Sequence, residues 1–153
     1  MNQSAFDPAS FLDATISEPS IRRPPLPVGD YTAVIGEVTA RAWQGKSDPS
    51  KSGIAWDIPL TPEIPAETQV ALGLEMATLQ LKDSFFLDLT SSGTIDNGPG
   101  KNRGLRNYRE ACDLNKPGDS FSARMMTGKI VKVKVTHEIW NEAPTERISG
   151  VAR

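Results

Sequence analysis

The stretch TGKIVKVKVTHEIW, residues 127–140, has the most regular pattern in the chain. Valine alternates with polar residues in it at Val131, Val133 and Val135. This period of two predicts a β-strand that is buried on one face. The other face carries Lys132 and Lys134, with Trp140 at its far end. Such lysines either keep an edge strand soluble or attract an anionic partner along the strand, and the pattern alone leaves both alternatives open.

The composition predicts one domain with loops and an extended segment. A chain of 153 residues is long enough for a single hydrophobic core, but 38% apolar residues with 12 Gly and 12 Pro leave much of it irregular. The net charge of −2 is unevenly spread: residues 1–100 carry 6 Lys/Arg against 13 Asp/Glu, and residues 101–134 carry 9 against 3. Since salt screens charges beyond about 8 to 10 Å, an anionic partner would respond to the second, basic region.

The cysteine count and the hydropathy pattern indicate the compartment. Cys112 is the only cysteine, so no intramolecular disulfide can form, and we expect a reducing cytoplasm. No apolar run approaches the roughly 18 residues of a membrane span, and the N-terminus lacks the basic and apolar regions of a signal peptide. We therefore expect no membrane partner and a protein that stays in the cell that makes it.

The N-terminal region differs from the rest of the chain. We predict an acidic segment with a proline-rich linker over residues 1–27, followed by a domain over residues 28–153. Asp7 and Pro8 have the form of a helix N-cap and first helical position, with Phe6 able to pack on Phe11. Because so short a helix is marginal alone, we expect it to dock on its own domain or on a second copy, giving a homodimer or higher oligomer.

The domain is predicted to contain five strands and one helix. The strands cover residues 31–43, 54–60, 77–90, 127–140 and 146–152, and the helix covers residues 103–113, between the third and fourth strands. Gly36 predicts a bend at which the long first strand serves two sheets, and Pro59 predicts that the second strand lies at an edge or ends there. Asp83 falls on the apolar face of the third strand, so we expect either a bulge there or a partner for its carboxylate. Asn102 is the predicted N-cap of the helix.

This order of elements is the outline of an OB fold. The predicted class is mainly β, a five-stranded, partly open Greek-key barrel with one helix between strands three and four, plus an N-terminal extension. Residues 61–71 are predicted as an irregular surface insertion. In OB folds the second and third strands and their flanking loops bind oligonucleotides and oligosaccharides.

Residues suited to catalysis are scarce. His137 is the sole histidine and lies on the valine side of its strand, and Cys112 lies on the apolar side of the predicted helix, so both are interpreted as structural. No HxxxH or CxxC spacing predicts a metal. Residues 98–104, GPGKNRG, resemble a phosphate cradle but lack the GxxxxGK[ST] order of an NTPase, leaving a nest for a nucleic-acid phosphate as the alternative. We expect no enzyme activity and no cofactor.

Binding of a single-stranded nucleic acid is easier to support. Such strands are held by basic grooves that follow the backbone and by aromatic rings on which bases stack. The basic candidates are Lys46, Lys51, Lys82, Lys101, Arg103, Arg106, Lys132 and Lys134, and the stacking candidates are Trp43, Phe86 and Trp140. Trp56 shares a face with apolar residues and is predicted to belong to the core.

Several motifs, taken in order, resemble a family of small bacteriophage proteins. These motifs are Phe6-Asp7-Pro8, Phe11-Leu12, residues 26–31, Leu87-Asp88-Leu89-Thr90, Gly100-Lys101-Asn102, residues 105–111, Asn115-Lys116-Pro117-Gly118 and residues 128–137. Members of that family look like OB-fold single-stranded DNA-binding proteins of phage replication and recombination modules. The resemblance spans most of the chain.

The resemblance implies a function without catalytic residues. It implies a sequence-tolerant protein of a phage or prophage that coats single-stranded DNA during replication and recombination, in the cytoplasm of the infected bacterium. Other phage replication or recombination proteins would then be partners. Two alternatives remain at this point: a phage structural or assembly protein that uses the same barrel as a protein interface, and an RNA- or oligosaccharide-binding module.

Overall fold

The computed structural model describes residues 6–74 and 79–153. The fold is mainly β: six antiparallel strands form one open sheet, with few helices. The strands are β1 (Gly29–Ile35), β2 (Thr39–Gln44), β3 (Ser52–Pro62), β4 (Leu81–Phe86), β5 (Ile130–Trp140) and β6 (Ala143–Ala152). The α-helices are α1 (Ala66–Ala71) and α2 (Arg103–Ala111), and short 3-10 helices cover Pro8–Leu12 and Ala123–Met126.

The predicted long first strand is bent into β1 and β2, as the position of Gly36 indicated. β1 pairs with both β3 and β5, whereas β2 pairs with β3. At the bend the Gly36 N–H donates to the Pro59 carbonyl at 2.8 Å, and a Cβ on Gly36 would lie 3.1 Å from the Pro59 ring. The close approach of these two residues explains why glycine suits this corner.

The prediction that Pro59 marks an edge or an end of its strand is wrong. β3 continues to Pro62 and has neighbours on both sides: β4 on one, and β2 followed by β1 on the other. Pro59 lies where that second neighbour changes, between the pairs Thr39↔Asp57 and Ile35↔Leu60. Proline is tolerated because its missing N–H falls at the break between β1 and β2, where the ladder is already interrupted.

β3 pairs with β4 on one side and, on the other, with β2 and then β1 along its length. β1 pairs in turn with β5, and β5 with β6. Within the two described ranges no strand pairing joins β4 to β6, and a cleft of about 190 Å³ lies between them, lined also by α2. Tyr108 of α2 stacks on Phe85 with ring centroids 6.0 Å apart, and its hydroxyl donates to Asp83 at 2.7 Å. Asp83 is thus paired with a neutral hydroxyl and needs no bulge, which resolves the two predicted alternatives.

The alternating valines of β5 are buried on one face of the strand, as predicted. Val131, Val133 and Val135 are buried and join the core with residues of β1, β3 and α2. Cys112 is also buried, in agreement with its predicted packing role. Trp56 packs against the core from the inner side of β3, as predicted, with its ring 6.1 Å from Phe85.

Other predictions need correction. Asn102 occupies the predicted N-cap position of α2, and its carbonyl accepts from the Arg106 N–H at 2.9 Å, but its backbone is left-handed (φ 49°) and its side chain makes no capping bond to the helix. The predicted third strand is shortened to β4, and residues 77–78 of that prediction lie outside the described residues. Residues 61–71, predicted as irregular, contain the end of β3 and the short helix α1, because alternation and helical periodicity are too brief there to be recognised.

Among the described residues of the N-terminal segment, 6–27, only those near its C-terminal end are packed against the domain. Asp7 Oδ1 accepts from the Ala9 N–H at 3.2 Å, which confirms the predicted cap, although the helix that follows is a 3-10 helix. Every residue from 6 to 24 is exposed, so this part does not dock on its own domain as one alternative had it. Leu26 is fully buried, and residues 1–5 of the predicted segment lie outside the described residues.

Candidate functional site

One outer surface of the sheet combines rings and cations, and we call it the aromatic face. It is formed by alternate residues of three adjacent strands: Thr39, Arg41 and Trp43 of β2, Gly53, Ala55, Asp57 and Pro59 of β3, and Lys82, Ser84 and Phe86 of β4. Residues opposite one another in an antiparallel pair share a face, and the registers Trp43↔Gly53 and Ala55↔Phe86 bring the two rings together.

Trp43 and Phe86 form an aromatic pair over β3. Their ring centroids lie 5.0 Å apart, tilted by 58°, and Phe86 is 64% exposed. The indole lies directly on Gly53, where an added Cβ would come within 2.9 Å of Nε1. Nε1–H is shielded from solvent without a hydrogen-bond partner among residues 6–74 and 79–153. Packing, rather than hydrogen bonding, therefore holds the indole in place.

A polar cluster lies beside the rings. Arg41 Nε donates to both carboxylate oxygens of Asp57, at 3.0 and 3.3 Å, and Ser84 Oγ donates to Oδ1 at 2.5 Å. The Ser84 hydrogen bond first, and the Arg41 guanidinium with it, outweigh the effect of burial and hold the pKa of Asp57 below its usual range. The only acid of this face is thus ionised and paired, which fixes the Arg41 side chain next to the rings.

The predicted cations Lys46, Lys51 and Lys82 lie around the aromatic face. Lys82 is exposed on β4 opposite Pro59, and the two others belong to the β2–β3 loop that follows Trp43. That loop is held by backbone bonds, with the Gly45 N–H donating to the Lys51 carbonyl at 2.8 Å. The structure brings together five of the predicted residues in this way: Trp43, Lys46, Lys51, Lys82 and Phe86.

Lys132 and Lys134 belong to a second outer surface, which we call the lysine face. It consists of these two residues of β5 with Asp30 and Thr32 of β1 and Gly150 and Ala152 of β6. Lys134 is directly opposite Asp30, so an opposite charge already lies across the strand from it. β5 pairs on both sides, so these lysines do not protect an edge strand, contrary to one of the predicted alternatives. In the strand order β1 separates β5 from β3, and the predicted single track is therefore divided.

Lys101 and Arg106 line a third region, a cleft of about 240 Å³ at the start of α2. Asn102 is buried there and locks the loop onto the end of β4: its N–H donates to Asp88 Oδ2 at 2.8 Å and its amide oxygen accepts from the Asp88 N–H at 2.8 Å. The αL conformation of Asn102 serves this cross-link rather than a helix cap. Arg103, the first residue of α2, is exposed.

Trp140 lies at the end of the β5–β6 hairpin and is 63% exposed. The turn consists of Asn141 and Glu142, both with positive φ, 50° and 64°. Residues 136–140 of β5 are paired with β6, beyond the last register of β1 at Val135. Trp140 is thus available to a partner; by alternation it lies on the same side of β5 as Lys132 and Lys134, but beyond the part of the strand that pairs with β1.

The remaining reactive side chains have structural contacts. His137 Nε2 donates to the Leu26 carbonyl at 2.7 Å, and Glu146 Oε1 accepts from the Leu26 N–H at 2.8 Å. Arg109 of α2 lies over the Phe121 ring, with Cζ 4.6 Å from the ring centroid. In the described part of the chain no three His, Cys, Asp or Glu side chains are grouped to hold a metal ion. Nor is any helix there long and apolar enough to span a membrane.

Comparison with known proteins adds no family. No protein-family model matches the chain, and a search of curated proteins found no match. The resemblance to phage single-stranded DNA-binding proteins therefore stays a prediction.

The residues that sequence reasoning missed are those that support the rings. Arg41, Gly53, Asp57 and Ser84 complete the aromatic face. Arg41 could have been found, since it precedes Trp43 by two residues on a predicted strand and so shares its side. The roles of Gly53 and Asp57 depend on the register between strands, which no single-strand pattern reveals.

Proposed function

We propose that this chain is an OB-fold protein that binds single-stranded DNA without strong sequence preference, and that the aromatic face is its main binding surface. The observation that carries the proposal is the Trp43–Phe86 pair, in which the exposed Phe86 ring lies 5.0 Å from the half-buried Trp43 ring, on a face that also bears Arg41 and Lys82. Rings for bases and cations for phosphates are the two features that single-strand binding needs.

The connectivity supports the OB part of the proposal. If β1 and β2 are counted as one bent strand, it pairs with the second strand (β3) and the fourth (β5); the second pairs with the third (β4), and the fourth with the fifth (β6). α2 lies between the third and fourth strands in the chain and lines the open seam between β4 and β6. A partly open five-stranded barrel with its binding surface on the second and third strands has this arrangement.

The energetics favour the aromatic face over the lysine face. Each stacked base contributes about 1 to 3 kcal/mol and is indifferent to sequence, because every base has a π-face. Cations alone supply a salt-dependent attraction that does not distinguish single strands from duplexes. Lys132 and Lys134 are then auxiliary phosphate contacts, and Lys101, Arg103 and Arg106 would extend the path past the end of β4.

The biological setting is part of the same proposal. A sequence-tolerant binder of single strands would coat DNA exposed during replication or recombination. We place this activity in a phage or prophage, in the host cytoplasm, on the strength of the resemblance described above. Phage replication and recombination proteins would be the partners, and the protein would need no cofactor and carry out no chemistry.

The direct test is fluorescence anisotropy with a labelled oligo(dT) of about 30 nucleotides, alongside a duplex of equal length. Titrations at about 50 and 200 mM salt separate phosphate contacts from apolar ones, since each phosphate contact contributes a slope near −0.7 in log K against log salt. We expect tighter binding to the single strand than to the duplex, and weaker binding as salt rises.

Other outcomes would favour the alternatives. Absence of binding at micromolar protein and low salt would reject the proposal and favour a protein interface on the same barrel. Preference for an RNA or an oligosaccharide in competition would reject the DNA assignment, since a 2′-hydroxyl or sugar contact would then decide the binding.

A further inference from the structure

We infer that the cleft between the β1–β2 bend and the 3-10 helix Ala123–Met126 binds one guanine base. The cleft has a volume of about 270 Å³ and lies on the side of β2 and β3 opposite the aromatic face. The inference goes beyond the proposed function, because it places a base-specific contact next to a stacking surface that is indifferent to sequence. The contact itself can be tested without a DNA strand.

The first observation is an indole in the cleft that its neighbours on β2 do not cover. Trp56 lines the cleft and is directly opposite Ala40 in the β2–β3 register, so the two residues share a face. Alternation places Ala40 and Ala42 on this inner side of β2, while Arg41 and Trp43 face outward. Alanine is too small to cover an indole, and Trp56 stays only half-buried. Such an indole is a stacking surface for a planar ring.

The second observation is that the two walls of the cleft are fixed to each other. One wall is the bend after β1, and the other is the 3-10 helix with Thr127, whose hydroxyl donates to the Gly36 carbonyl at 3.2 Å. Met126, next to Thr127, is fully buried and anchors the second wall in the core. A preformed cleft needs little ordering when it binds, which favours a small ligand.

The third observation is a pair of opposite charges, one on each wall. Glu37 of the bend and Arg124 of the 3-10 helix both line the cleft, and both are exposed. Within residues 6–74 and 79–153 neither side chain makes a hydrogen bond or a salt bridge. A carboxylate has only acceptors and a guanidinium only donors, so a ligand between the walls needs donors on one edge and acceptors on the other.

Guanine has this arrangement among the four DNA bases. Its N1–H and its amino group can donate together to the Glu37 carboxylate, and its O6 and N7 accept a bidentate pair from an arginine such as Arg124. Each of the other three bases has a single donor group. Ligand pockets commonly begin at about 300 Å³. The cleft, at about 270 Å³, therefore suits a ligand as small as one base.

A DNA strand on the aromatic face can reach the cleft around the edge of the sheet. Among the described strands β2 pairs only with β3, so β2 is an edge at this point. Thr39 belongs to the aromatic face by its register and also lines the cleft, so the two surfaces meet at this residue. One base can therefore turn around β2 while its neighbours lie on the Trp43–Phe86 pair.

The cleft is tested with deoxyguanosine monophosphate and thymidine monophosphate. The two nucleotides have the same sugar and phosphate, so a difference between them reports on the base. The indole N–H signals of the three tryptophans are followed in titrations of the isotope-labelled chain. We expect the guanine nucleotide to shift the Trp56 signal and to bind at least about fivefold more tightly, the lower end of what one base-specific pair contributes. Equal binding of both nucleotides, or shifts confined to Trp43 and Trp140, would overturn the inference.

Two pairs of variants locate the binding. E37Q keeps the size of the side chain but removes the charge, so the preference for guanine should be largely lost, whereas E63Q removes an exposed acid outside the cleft and should keep it. A40L should fill the cleft and abolish binding of the guanine nucleotide. A42L adds the same group on the same side of β2 but outside the cleft, and should retain binding. Unchanged guanine preference in both E37Q and A40L would overturn the inference.

An oligo(dT) with one central guanine identifies the source of the base. We expect it to shift the Trp56 signal, which oligo(dT) alone should not do. If only the free guanine nucleotide shifts Trp56 and no oligonucleotide binds, the cleft is a guanine nucleotide site and the proposed function fails. If oligo(dT) binds but no guanine compound shifts Trp56, the inference fails and the proposed function stands.

Discussion

The aromatic face and the lysine face are both exposed outer surfaces of one sheet, and both carry cations, but they differ in what accompanies the charge. On the aromatic face three strands bring Trp43 and Phe86 to 5.0 Å from one another, and the acid Asp57 is held by Arg41 and Ser84. On the lysine face Lys134 lies opposite Asp30, and its neighbours on β6 are small.

A regular charge pattern is therefore not by itself a binding site. Alternating lysines along one strand show which side faces water, and any solvated face can have them. A site for bases needs rings from several strands at matched registers.

Removal of a ring should have the largest effect. F86A should weaken oligo(dT) binding by about 1 to 3 kcal/mol, roughly 5- to 150-fold, because a stacking surface is lost. W140A removes a similarly exposed ring at the hairpin end, and we expect a smaller loss. Anisotropy titrations of the two variants at one salt concentration make the comparison. A larger loss for W140A would move the site to the hairpin and the lysine face.

Displacing the indole without removing it should have an intermediate effect. In G53A the new Cβ would meet Trp43 Nε1 at 2.9 Å, so the ring must leave its position on β3. We expect a loss of about 1 kcal/mol in DNA binding, roughly fivefold. G150A is the matched control, since its Cβ would approach only Lys134 Cβ, at 3.9 Å. Equal affinities of the two variants would show that the position of Trp43 is unimportant.

Removal of an acid should have the smallest effect on affinity and the opposite sign. D57N frees Arg41 and takes a negative charge from the aromatic face, so binding should tighten a few-fold, corresponding to about 1 kcal/mol or less. D30N removes the acid opposite Lys134 and should change affinity less. If D30N tightened binding more than D57N, the lysine face would be the main phosphate contact.

D57N also has a pH signature in folding stability. The pKa of Asp57 is held below its usual range in the folded chain, first by the Ser84 hydrogen bond and then by Arg41. The ionised carboxylate therefore stabilises the folded chain fully at pH values above the pKa that Asp57 has in the unfolded chain. This contribution is lost as the pH falls through the lower pKa that Asp57 has in the folded chain. Urea unfolding should show a lower free energy of unfolding for D57N than for the wild type at neutral pH, and the difference should shrink in acid. A difference that did not change with pH would contradict the role of the charge.

The parts of the fold that depend on local pattern were predictable from the sequence. The burial of Val131, Val133 and Val135, the corner at Gly36 and the exposure of Phe86 follow from periodicity and from the properties of single residues. Pro59 and Asn102 were misread because tertiary context decided their roles. Pro59 meets a break in the neighbouring strand, and the side chain of Asn102, at the N-cap position of α2, bonds to the Asp88 backbone instead of the helix.

The candidate site was predictable only as a list of residue types. The aromatic residues and several cations were identified, but the division into two faces depends on strand order and register. The sequence pattern placed Lys132 and Lys134 on one path with Trp43 and Phe86, because a linear sequence does not show that β1 lies between β5 and β3.

The most direct test of the account is photo-cross-linking of oligo(dT) to the wild-type chain, with the modified peptides located by mass spectrometry. We expect adducts concentrated at Trp43 and Phe86, on β2 and β4, and few at Trp140 or elsewhere in residues 130–140 of β5. Adducts concentrated in residues 130–140, with Trp43 and Phe86 unmodified, would contradict the claim that the aromatic face is where single-stranded DNA binds.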